Sequence, residues 1–120
     1  MEKRVLVVED DAPIRVMVSA VLAQANFAVE TCRDAGEALP QLDQQQFGVV
    51  VLSMDSSSPE SDAAILDRLH ATEEPPCVVL ISAGSQPKLD SVVSQLVRAR
   101  LRKPFDISEL VAAVRGCFNS

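Results

Sequence analysis

The chain has 120 residues, 48% of them hydrophobic, with 17 acidic against 11 basic side chains and a net charge of −6. That size and apolar content suit a single domain over residues 1–120 with a core of its own, and the acidic balance argues against direct grip on a nucleic-acid backbone. No apolar run approaches the roughly 20 residues of a membrane span, and the opening MEKRVLVVEDD turns acidic too early for a secretory signal, so a cytoplasmic location is expected. Cys32, Cys77 and Cys117 lie far apart with no metal-type or redox-type spacing. They read as three separate, small, buried apolar residues in a reducing compartment.

Apolar runs alternate with amphipathic segments along the whole chain. Residues 5–8 form a continuous apolar run, the mark of a strand buried on both faces. Pro13 follows, which a helix tolerates only in its first turn. Ile14, Met17, Val18, Val21 and Leu22 then recur at helical spacing. Asn26 is a stop signal, and residues 27–31 read as a second strand. Asp34-Ala-Gly-Glu37 is a capping-box pattern that starts a second helix with Ala38, Leu39 and Leu42 inward. Pro40 falls past the first turn of that helix, so a kink or a short helix is expected.

Residues 49–52 are the third strand. Ser61 or Asp62 is the expected cap of a third helix that turns Ile65, Leu66 and Leu69 inward, and Pro75-Pro76 closes the segment. Residues 78–81 are the fourth strand. A weaker helix from about Pro87 carries Leu89, Val92, Val93 and Leu96, and residues 97–101 form a ragged fifth strand. Asp106 or Ser108 caps a last helix built on Leu110, Val111, Val114 and Phe118.

Short strands alternating with helices imply βαβ units, a parallel sheet, right-handed crossovers and helices on both faces, an α/β three-layer sandwich. In such sheets the working site lies outside the carboxyl ends of the strands. Those ends carry Glu9-Asp10-Asp11 after strand one, Ser53-Met54-Asp55 after strand three, Ser82 after strand four, and Arg102-Lys103-Pro104-Phe105 after strand five. Paired carboxylates suit a hard divalent cation such as Mg²⁺. A lysine and a hydroxyl beside them suit a phosphoryl group. There is no Gly-rich phosphate loop, so a nucleotide-binding enzyme is a poor fit.

RVLVVEDDAPIR, DAGEAL, VVLISA and RKPF, in this order and spacing, resemble the receiver domain of two-component response regulators over the whole chain. The resemblance implies a flavodoxin-like, doubly wound (βα)5 fold with strand order 2-1-3-4-5. It also implies an aspartate after strand three that accepts a phosphoryl group from a histidine kinase, and an acid pair that holds Mg²⁺. A hydroxyl after strand four and a lysine before a cis-proline would contact the phosphoryl group. Carried over, Glu9 and Asp10 fill the acid pair, Ser82 the hydroxyl position, Lys103 the lysine position and Pro104 the cis-proline position.

The phosphoacceptor position holds Ser53 instead of aspartate. Asp55 stands where the family offers the metal only a backbone carbonyl. It shares a side of an extended chain with Ser53, and a local bulge would be needed to bring it to the acceptor position. Arg100 replaces the aromatic switch residue, and the chain has no tyrosine. The Gly-rich loop after strand three is replaced by SSSPESDAA.

These departures imply a pseudo-receiver, not an enzyme, that signals by phosphorylation-independent protein–protein contact, with any Mg²⁺ at Glu9, Asp10 and Asp55 held weakly. Lys103 would pair with one of those acids and set the switch permanently. Asp11 reads as a helix cap and His70 as a solvated surface residue. Arg98, Arg100, Arg102, Lys103 and Arg115 form a basic cluster suited to a partner. The expected partners are signalling proteins: a histidine kinase, a regulator or an output domain. A second copy is expected to dock on the face made by the helix after Pro87, the fifth strand and the last helix. The alternatives are a working phosphoreceiver using Asp55 and, from another class, a small metal-dependent phosphohydrolase.

Overall fold

A computed structural model describes residues 3–54, 59–82 and 95–118, with backbone alone for 59–62. Five parallel strands form one sheet in the order β2-β1-β3-β4-β5. They are β1 (Arg4–Val8), β2 (Ala28–Cys32), β3 (Val49–Met54), β4 (Cys77–Ser82) and β5 (Val97–Arg102). The described helices are α1 (Ala12–Gln24), α2 (Ala35–Gln44), α3 (Pro59–His70) and α4 (Ile107–Phe118). The doubly wound order expected from the sequence is the one observed. The helix expected from about Pro87 lies outside the described residues up to position 94.

The pleat sorts alternate strand residues into two cores. Leu6, Val8, Val50, Leu52, Val78 and Leu80 face α2 and α3, where Ala38, Ile65, Leu66 and Leu69 meet them. Val5, Val7, Val49, Val51, Val79 and Ile81 face the other way, onto Val18 and Leu22 of α1 and Leu110 and Val114 of α4. Because helices cover both faces, the middles of β1, β3 and β4 (residues 5–8, 49–52 and 78–81) are apolar at successive positions. Each such side chain, once fully buried, contributes about 1.5–3 kcal/mol. β5 is an edge strand and alternates instead, with Arg98, Arg100 and Arg102 exposed. Its register passes from Val78↔Val97 to Val79↔Ala99, so Arg98 is the extra residue of a bulge.

Local signals place most helix starts. Asp11 caps α1, accepting a hydrogen bond from the Ile14 N–H at 3.1 Å, with a proline in the first turn. α1 ends before Asn26, whose φ of 73° is a left-handed conformation that asparagine tolerates. Asp34 caps α2 through the Glu37 N–H at 3.1 Å. Glu37 does not close the box on Asp34; its carboxylate accepts from the Arg33 N–H at 2.8 Å. That bond, and a second from the Arg33 guanidinium, hold the Glu37 carboxyl below its ordinary pKa.

One expectation about a helix start fails. α3 begins at Pro59, before Ser61 and Asp62, because proline at the first helical position needs no hydrogen-bonded N–H. The last helix begins at Ile107, so of its two expected caps Asp106 stands at the cap position, its carbonyl accepting from Glu109 N and Leu110 N, while Ser108 lies inside the helix. α2 runs ten residues through Pro40, which faces outward.

The cysteine reading also fails in part. Cys32 is buried and free, but Cys77 and Cys117 are joined by a disulfide with a Cα–Cα distance of 6.0 Å. The sheet brings the first residue of β4 beneath the last turn of α4, a juxtaposition that a sequence separation of 40 conceals.

Candidate functional site at the carboxyl ends of the strands

β1 and β3 are hydrogen-bonded neighbours, as are β3 and β4, and β4 and β5. Their carboxyl ends therefore deliver Glu9, Ser53, Ser82 and Lys103 to one edge of the sheet. The Lys103 N–H donates to the Ser82 carbonyl at 2.8 Å, tying the turn after β5 to the end of β4. The Lys103–Pro104 peptide bond is cis.

Glu9 is only 2% exposed, one of two buried polar residues among those described; the other is Ser82. A carboxylate cannot be buried bare without a cost of several kcal/mol, and here two groups answer it. Its Oε1 lies 2.9 Å from the Lys103 Nζ, whose side chain is 18% exposed. Its Oε2 accepts a longer bond, 3.3 Å, from the Asp11 N–H. The lysine contact is an ion pair without the alignment of a directed hydrogen bond, which leaves Oε1 satisfied by charge alone. The Glu9 backbone is held too, its N–H on the Cys32 carbonyl at 3.0 Å and its carbonyl on the Arg15 guanidinium at 2.9 Å. Arg15 was not singled out in the sequence. Its position one turn into α1, facing back along the helix towards the end of β1, is the signal that could have found it.

Ser53 sits inside β3, opposite Ile81, and Ser82 ends β4, opposite Met54. Ser53 shares its parity with Val49 and Val51, and Ser82 with Val78 and Leu80, so the two hydroxyls start from opposite faces of the sheet. Both Oγ atoms are buried and make no hydrogen bond. An unpartnered buried hydroxyl costs about 1–3 kcal/mol, so this end of the sheet carries polar groups that stability does not require.

The remaining candidates are dispersed. Asp55 lies outside the described residues. Asp10 is exposed on the turn between β1 and α1, and Asp11 is occupied as the α1 cap. Arg100 is exposed on β5, as are Arg98 and Arg102, and Arg115 is exposed on α4. His70 is the exposed last residue of α3.

The comparisons with known proteins bear on the family and the fold. The phosphate regulon transcriptional regulatory protein PhoB of Klebsiella pneumoniae is 32% identical over 118 residues, 97% of this chain and 52% of that protein. The transcriptional regulatory protein CpxR of Escherichia coli K12 is 30% identical over 116 residues, 94% of this chain and 48% of that protein. The chain thus spans about half the length of the curated relatives it matches.

Among solved structures, a response regulator receiver domain protein of Bacillus halodurans superposes with a TM-score of 0.81 at 24% identity, covering all of both chains. The chemotaxis response regulator CheY4 of Vibrio cholerae gives 0.82 at 22% identity, covering 98% of this chain and 99% of that one. These two likenesses speak for the fold alone. The profile of the response regulator receiver domain matches residues 5–115, nearly the whole chain, and the chain belongs to that family of two-component signalling domains.

Proposed function

We propose that residues 1–120 act as one receiver-type signalling unit that works by contact with other proteins, without an aspartyl phosphate and without catalytic turnover. The observation that carries this reading is Ser53. It fills the position that the family resemblance assigns to the phosphoacceptor, and its hydroxyl is buried with no hydrogen-bond partner. A serine nucleophile needs a neighbouring base to take its proton, and among the described residues the Ser53 hydroxyl has no hydrogen-bonded base. The Glu9–Lys103 ion pair supports the same reading: the lysine that would meet a phosphoryl oxygen is spent on a buried carboxylate.

Receiver domains commonly bind Mg²⁺ at this end. The described donor set does not fit a tightly held ion. No three His, Cys, Asp or Glu side chains among the described residues come together to hold a metal, and the Lys103 ammonium occupies a Glu9 oxygen that a cation would take. Nothing in the proposed function passes through a metal. The partners are signalling proteins of the pathway, a kinase, another regulator or an output domain. The arginines of β5 with Arg115 of α4 form the face offered to them, and to a second copy of the chain. The acidic chain does not bind nucleic acid directly, and it works in the cytoplasm. No helix among the described residues is long and apolar enough to cross a membrane.

The test is intact mass after incubation with Mg²⁺ and acetyl phosphate, with amide shifts recorded in parallel. No added phosphoryl group, and no beryllofluoride-induced shifts around Ser82 and Lys103, are the expected results. A phosphoryl gain that Asp55→Asn abolishes would overturn the proposal and make Asp55 the acceptor.

A further inference from the structure

At the opposite end of the sheet, the first residue of β4 and the last turn of α4 are joined by the Cys77–Cys117 disulfide. We propose that this bridge is a thiol-exchange site, a redox-responsive latch that fixes the end of α4 when oxidised and releases it when reduced. The Cα–Cα distance of 6.0 Å lies at the common value for disulfides, and both cysteines are partly exposed, within reach of a small dithiol. The third cysteine is a spectator. Cys32 is buried, and burial, followed by the charges of Glu37 and Asp34, pushes its thiol up to about 12. Exchange chemistry therefore falls to the bonded pair.

The helix end that the bridge holds is weak by itself. The last turn reads Arg115-Gly116-Cys117-Phe118, and glycine is a poor helix former. A Cβ at Gly116 would meet nothing within 4 Å, so this glycine is not there to make room for a neighbour. Two external holds replace intrinsic helicity. One is the disulfide. The other is the Phe118 ring, which fills the notch left by Gly48 and stacks on Phe27 at a centroid distance of 5.6 Å. Phe118 also walls a groove of about 600 Å³ at the amino ends of the strands, with Lys3, Arg4, Gln45 and Thr72 among its lining. Loss of the covalent hold leaves the turn on its packing, the Phe118 ring foremost, and fraying there removes one wall of the groove.

The chemistry is a two-electron exchange with a dithiol. One thiolate of the reductant attacks a sulfur of the bridge, forms a mixed disulfide and expels the other cysteine as a thiolate. The reductant's second thiolate then displaces the first cysteine. The cysteines end as two thiols after protonation, and the dithiol ends as a disulfide. Oxidised glutathione drives the reverse.

The full chain is treated with oxidised glutathione or dithiothreitol and alkylated in the native state and in denaturant, and modified sites are read by mass. Expected for the oxidised protein is one modified site in denaturant, Cys32, and a peptide joining Cys77 to Cys117. After reduction of the native protein, Cys77 and Cys117 react and Cys32 does not. Hydrogen exchange of residues 115–118 rises about tenfold on reduction. Cys77→Ser shows the fast exchange under both conditions, and Gly116→Ala, which strengthens the turn without touching a thiol, narrows the difference. Three reactive thiols after glutathione treatment would sink the proposal. A bridge that resists dithiothreitol in the native protein, or exchange at 115–118 that ignores redox state or Gly116→Ala, would reduce it to a static staple and equally overturn the latch.

Discussion

The two ends of the sheet are built on opposite principles. At the amino ends of the strands the chain closes itself: a disulfide ties β4 to α4, and Phe118 packs over Gly48. At the carboxyl ends it places a buried carboxylate against a lysine and leaves two hydroxyls without partners. The same two strands, β3 and β4, run from one regime to the other within six residues each. The apolar middle is common to both ends, so the difference does not come from the fold. It marks the carboxyl end as the place where polar groups are buried at a cost to stability, and the amino end as the place where the domain is fastened.

That contrast predicts a ranking of substitutions. The largest effect belongs to the bridge. A cross-link spanning 40 residues is worth about 4 kcal/mol in the chain-entropy account, a large share of the roughly 5–15 kcal/mol of a typical domain. Reduction, or Cys77→Ser, should lower the urea midpoint accordingly, and an unchanged midpoint would show that the amino end is not fastened there. Next comes Lys103→Met. It leaves Glu9, 2% exposed, without its counter-charge, which costs about 3 kcal/mol. Adding Glu9→Gln should recover most of that loss in a double-mutant cycle. Equal losses in the single and double variants would mean that the ion pair contributes little.

Gly48→Ala ranks third, at about 1–2 kcal/mol. Its new Cβ would sit 2.9 Å from the Phe118 Cζ, and closer still to Cε1, so the ring must move. Phe118→Leu in the same chain should restore part of the loss. A neutral Gly48→Ala would mean that the end of α4 yields freely even with the bridge closed.

The sequence announced the polar end better than the fastened one, for physical reasons. Glu9, Ser53 and Ser82 each end a continuous apolar run, Lys103 follows the alternating β5, and parallel strands bring their carboxyl ends together whatever the details of packing. Their roles came only with the family resemblance. The two cores were legible because residues 5–8 of β1, 49–52 of β3 and 78–81 of β4 are continuously apolar while β5 alternates. The Asp34 cap was legible as a local pattern, whereas the reach of Glu37 to the Arg33 N–H depends on a backbone path that the pattern does not specify. The start of α3 was misplaced because Ser61 and Asp62 are good caps by composition, while Pro59 is a stronger signal by conformation. The Cys77–Cys117 bridge was invisible. Its two halves meet only once β4 and α4 have packed, and no local propensity encodes that contact.

The smallest effect sharpens the comparison most. Ser82 Oγ is buried and unpartnered, so Ser82→Ala removes a desolvated polar atom and loses no hydrogen bond. The substitution should be neutral or stabilising by up to about 1 kcal/mol, and Ser53→Ala should behave alike. Both are read as shifts in urea midpoint at constant slope. A loss above 1 kcal/mol would show that these hydroxyls are held by a partner, and the carboxyl end would then be another fastening. A gain in stability accompanied by loss of partner binding would mean that the hydroxyls are kept for recognition, at the expense of the fold that carries them.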